Sequence, residues 1–85
     1  MPKTGREILL VDDEKTADNV IKDVQTRIDV EGIATVADYK VAAGKAHSRI
    51  DQEYGWDKNN PPDNAYWKKT AYGYQIHMPK AVLLT

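Results

Sequence analysis

The sequence predicts one small α+β domain spanning residues 1–85: an N-terminal strand, an amphipathic helix, a short second helix and a C-terminal β-hairpin. Three observations carry that expectation. A short apolar run at 6–11 ends in two aspartates. Ala17, Val20, Ile21, Val24 and Ile28 recur at helical spacing. Tyr74, Ile76 and Met78 alternate with Gln75 and His77 directly after a glycine.

Arg6-Glu7-Ile8-Leu9-Leu10-Val11 reads as a strand because it is short and apolar. Asp12 or Asp13 can then accept hydrogen bonds from the orphan N–H groups that open a following helix. The run Asp12-Asp13-Glu14 also suits the positive end of that helix. The helix is expected over 14–30, with Lys15, Asp18, Lys22, Gln25 and Asp29 largely off its apolar face. Gly32 is a natural C-terminal stop.

Ile33-Ala34-Thr35 is long enough only for a connector or a short bridge. Thr35 reads as the cap of a second helix, with Asp38 three residues on in the place of the usual Glu or Gln of a capping box. Val36, Tyr39 and Ala43 give that helix its inner face, and Gly44 ends it. Lys45 to Glu53 could extend as helix, with Ala46 and Ile50 four apart. Tyr54-Gly55-Trp56 reads as a turn with two structural anchors, Tyr54 and Trp56. Residues 58–64 hold no apolar side chain except two adjacent prolines and are expected to be a flexible loop, as are residues 1–5.

The hairpin is expected from Tyr66–Ala71 and Tyr74–Met78, with Tyr72-Gly73 as the turn and Pro79 as the stop. Ala81-Val82-Leu83-Leu84 is an apolar tail that must dock on the domain or on a partner.

Composition bounds the function. There are 12 Lys and Arg against 13 Asp and Glu, and no cysteine, so disulfides and thiolate metal sites are excluded. No membrane span and no signal-peptide pattern is visible. Residues 1–42 hold six basic and nine acidic residues, whereas residues 43–85 hold six and four. All seven aromatic residues lie from Tyr39 onward.

His47 and His77 stand thirty residues apart and read as surface polar residues. No nucleophile, phosphate-loop or dinucleotide motif is present, so no enzyme, cofactor or metal is expected. Residues 64–80 interleave Lys68, Lys69 and Lys80 with Tyr66, Trp67, Tyr72 and Tyr74, without an acid. Rings beside cations suit nucleic acid. Tyr and Trp equally suit a protein interface, where they dominate binding energy. With so few cations on a net-negative chain, the protein interface, including self-association, is the preferred expectation. The candidate binding residues are therefore Tyr66, Trp67, Lys68, Lys69, Tyr72 and Tyr74.

Ile8-Leu9-Leu10-Val11-Asp12-Asp13-Glu14 looks like the opening of a response-regulator receiver domain. That chemistry needs a later strand ending in the phosphorylated Asp, and no later run of four apolar residues ends so. The stretch is read instead as a strand followed by helix-capping acids. A second likeness covers residues 15 to about 80. The helix through Gly32, then Thr35-Val36-Ala37-Asp38-Tyr39, Tyr54-Gly55-Trp56 and Gly73-Tyr74 leading to Pro79-Lys80, resembles a set of small uncharacterised bacteriophage proteins. The resemblance implies a phage or prophage origin and, with no membrane span or signal peptide visible, a place in the host cytoplasm or the virion; it implies no activity. The element order also resembles a winged helix, with Ile33–Thr35 as its first strand and the wing tip near Tyr72-Gly73, which would make the protein a DNA binder.

Overall fold

A computed structural model describes residues 7–84. Arg6 and the stretch 1–5, expected to be flexible, lie outside the described residues. The elements run β1 (Glu7–Val11), α1 (Glu14–Glu31), β2 (Ile33–Thr35), α2 (Val36–Ala42), a 3-10 turn (Arg49–Gln52), β3 (Tyr54–Asp57), β4 (Tyr66–Thr70), β5 (Gly73–Met78) and β6 (Val82–Leu83). The chain is α+β, as the sequence predicts.

The strands form two antiparallel three-stranded sheets, ordered β1-β5-β4 and β2-β3-β6. Helix α1 packs against strands of both. Its buried side chains are Ala17, Val20, Ile21, Val24 and Ile28, the face set by the 3.6-residue period. They meet Val11, Ile76 and Met78 of the first sheet and Ala34 and Trp56 of the second in one core.

Local chemistry fixes both helix starts. Asp13 Oδ1 accepts from the Thr16 N–H at 2.7 Å. This hydrogen bond, with a second contribution from the Thr16 side chain, holds the Asp13 carboxyl below its ordinary value. Helix α1 stops at Gly32, whose φ of 89° is a left-handed cap. At α2 the reciprocal box is complete: Thr35 Oγ1 accepts from the Asp38 N–H, and Asp38 Oδ2 accepts from the Thr35 N–H, both at 3.0 Å.

Several expectations are corrected. Ile33–Thr35 is a paired strand, with Ala34 opposite Trp56. Tyr54-Gly55-Trp56 is the central strand of the second sheet and not a turn. Gly55 is what permits this, because a side chain there would collide with the Ala34 carbonyl oxygen of β2. Lys45 to Glu53 does not extend a helix: only Arg49–Gln52 is helical, as a 3-10 turn. That turn is held by Asp51, which accepts from the Ser48 N–H at 2.9 Å and from Lys40 Nζ at 2.8 Å. The hairpin loop is Ala71-Tyr72, one residue earlier than expected, because Thr70 pairs with Gly73.

The tail docks on the domain: β6 pairs with β3, and the Leu84 N–H donates to the Glu53 carbonyl at 2.9 Å. Pro62 of the expected 58–64 loop is buried, and Asp57 Oδ1 accepts from the Asn59 and Asn60 N–H groups, both at 2.9 Å. The winged-helix arrangement is not adopted. β2 pairs with β3 and not with the hairpin, and the segment 50–64, where a recognition helix would lie, holds the 3-10 turn and β3.

Candidate functional site

Strand alternation sorts the candidate residues onto two faces of the β1-β5-β4 sheet. Leu9, Ile76 and Trp67 lie in register on the α1 side, as do Val11, Tyr74 and Lys69. The outer face carries two other cross-strand rows: Ile8, His77 and Tyr66, then Leu10, Gln75 and Lys68.

The six candidate binding residues therefore do not converge. Trp67 and Tyr74 pack partly into the core, edge to face with ring centroids 5.5 Å apart. Lys69 shares their side of β4, whereas Lys68 and Tyr66 point outward. Tyr72 stands at the loop tip, exposed, where Thr70 Oγ1 accepts from its N–H at 3.3 Å. Strand alternation sends Lys68 and Lys69 to opposite faces of β4.

Of the two anchors, Trp56 is 1% exposed. Its ring meets Tyr39 edge-on at 5.8 Å, and its Nε1–H donates to the Pro79 carbonyl at 3.0 Å. Tyr54 is half-buried and packs against the same core. Tyr39, from α2, donates its hydroxyl to the Ile76 carbonyl at 3.2 Å, tying the second helix to the first sheet.

The outer face has properties that sequence reading missed. Ile8 is 50% exposed, Leu10 38% and Tyr66 47%. His77, expected at the surface, is only 8% exposed. It sits on the central strand, and the Tyr66 ring lies over it, parallel within 4° and with centroids 4.7 Å apart. Gln75 Oε1 lies 3.0 Å from His77 Nε2, and an amide oxygen can only accept, so the pair as placed has Nε2–H donating. The Tyr66 ring is thus held in a stack with His77, in the same cross-strand row as Ile8 and on the far side of that histidine from it. The missed signal was the apolar pattern of β1, where Ile8 and Leu10 alternate with core-facing Leu9 and Val11.

Elsewhere, a shallow groove of about 230 Å³ runs between α1 and the proline pair, lined by Gln25, Ile28, Asp29, Pro61, Pro62 and Asp63. Among the described residues no group of three His, Asp or Glu side chains is placed to hold a metal ion. No helix among them is long and apolar enough to cross a membrane. Comparison with protein-family models, with curated proteins and with solved structures finds no match.

Proposed function

We propose that this chain is a non-enzymatic phage accessory protein that acts by binding another protein through the outer face of the β1-β5-β4 sheet. One observation carries the reading: Ile8, Leu10 and Tyr66 are large, exposed and on one face of one sheet, with Ile8 and Tyr66 in one cross-strand row on either side of His77. Large apolar side chains gathered on one exposed sheet face mark interaction sites, because their contact with water is removed only by a partner. Tyr66 is already ordered by its stack on His77, so little side-chain freedom is lost when it is covered. The phage assignment is supported by the sequence resemblance alone.

The test is site-specific photo-crosslinking in cells infected or induced with the source phage. A photoreactive phenylalanine at Tyr66 should give a discrete protein adduct. The same group at Val30, 79% exposed on α1, should give none. Equal labelling from both positions, or none from Tyr66, rejects the face.

A further inference from the structure

We propose that the groove between α1 and the proline pair receives an arginine side chain of a partner protein. This contact is separate from the sheet face above. Its walls come from α1 and the 57–65 loop, and α1 lies on the inner side of the first sheet.

The helix wall follows from spacing. Gln25, Ile28 and Asp29 stand three and four residues apart and so share one side of α1. Ile28 is buried and gives the groove an apolar base, whereas Gln25 and Asp29 are exposed. Pro61, Pro62 and Asp63 form the second wall, with Pro62 buried. The Pro62 carbonyl accepts from the Ala65 N–H at 3.2 Å, and Asp57 Oδ1 holds the Asn59 and Asn60 N–H groups. The loop is therefore pinned on both sides of the prolines, and little order has to be gained on binding.

Charge requires the occupant to be a cation. Asp29 and Asp63 line the groove from its two walls, and no Lys, Arg or His lines it. Among the described residues neither carboxylate has a hydrogen-bond or ion-pair partner. Arg27 does not neutralise Asp29, because two residues turn the helix by about 200°. Arg27 is held by Asp23 and Glu31 and lies 3.9 Å from Asp38. The helix end acts in the same direction. The last turn of α1 holds Asp29 and Glu31 and no basic residue. A helix C-terminus carries partial negative charge, so a cation is favoured there and an acid is not.

Size limits the occupant to one side chain. The groove measures about 230 Å³, below the roughly 300–1,000 Å³ of sites for whole small molecules. Arginine suits it better than lysine. The guanidinium is flat and can lie along a proline ring, and it leaves water at lower cost than an ammonium. Its several N–H donors match acceptors that stand on two walls: Asp29 and the Gln25 amide oxygen on one, Asp63 on the other.

The test is an amide NMR titration of the full chain with N-acetyl-arginine amide. Saturable shifts are expected at the Gln25, Ile28, Asp29, Asp63 and Ala65 amides. N-acetyl-citrulline amide has the same shape without the charge and should leave them in place. N-acetyl-lysine amide should bind more weakly. Asp29→Asn combined with Asp63→Asn should weaken arginine binding about tenfold or more. Asp63→Asn alone, in a loop outside both sheets, should weaken it too and serves where the double variant fails to fold. Asp29→Asn should melt no lower than the parent, because it removes an acid that opposes the helix dipole. The proposal is overturned by a titration without saturable groove shifts, by equal shifts from citrulline, or by binding that the Asn variants leave unchanged. A lower melting temperature for Asp29→Asn overturns it as well, since the carboxylate would then serve the fold. A lysine probe that binds as tightly overturns the choice of arginine. Groove shifts that grow with protein concentration alone place a second copy there and overturn the foreign partner.

Discussion

Single side chains decide whether the second sheet exists at all. Gly55→Ala would drive a methyl group into the Ala34 carbonyl of the paired strand, and backbone cannot yield as a side-chain tip can. A loss of roughly 2–3 kcal/mol is expected in chemical denaturation. Asp51 is fully buried and paired with Lys40 at 2.8 Å. Lys40→Met keeps most of the apolar stem of that lysine but removes the charge facing a buried carboxylate. A loss of about 3 kcal/mol is expected, the usual cost of breaking a buried pair from one side. Trp56 should emit at short wavelength in a Trp67→Phe background, since it is buried against Tyr39. Emission resembling free tryptophan would contradict its placement. Trp56 was legible in the sequence as an anchor because so little apolar material surrounds it. The Asp51 pair was not legible, since its partner stands eleven residues away across a break in the helix.

At the scale of elements, α1 is the most local structure in the chain and its expected behaviour follows from sequence. Its face residue Val24 is fully buried, so Val24→Asp places an unpaired carboxylate in the core. That costs several kcal/mol, comparable with the stability of a domain this small, and the variant should be unfolded by circular dichroism. The Asp13 cap gives a pH signature. Its carboxyl is held low by the Thr16 N–H, so it titrates lower in the folded chain than in the unfolded one. Its contribution is present above the unfolded value of 3.8 and is lost as pH falls through the folded value. Asp13→Asn should keep the cap and flatten that part of the acid-denaturation curve. Asp13→Ala should lower stability at neutral pH as well.

Among the described residues, Ile8, Leu10 and Tyr66 share one exposed face of the first sheet, and the lysines of that sheet do not converge. Lys68 and Lys69 point to opposite sides of β4, and Trp67 and Tyr74 are half-occupied by the core. A complex made through Ile8, Leu10 and Tyr66 should therefore be nearly indifferent to salt. A DNA complex held by lysines would weaken steeply as salt rises. A partner affinity that collapses between low and physiological salt would reject the apolar face as its seat.

The sequence by itself determined the elements whose causes are local. The period of three and four residues defines α1, the Asp12-Asp13 pair and the Thr35–Asp38 box mark where the helices begin, a short apolar run defines β1 and alternation defines β5. It also grouped Tyr74, Ile76 and Met78 on one face of β5, because a period of two sends alternate residues to opposite sides. Tertiary structure alone decided that there are two sheets, that Tyr54–Asp57 is a strand and that the apolar tail completes it. It also decided that His77 is covered by Tyr66. Each of these depends on a partner distant in the chain: Ala34 for Trp56, Leu83 for Tyr54, Tyr66 for His77. A three-residue segment such as Ile33–Thr35 carries too little pattern to announce a strand. It becomes one because Gly55 allows close backbone approach and because Ala34 and Trp56 are buried together against α1.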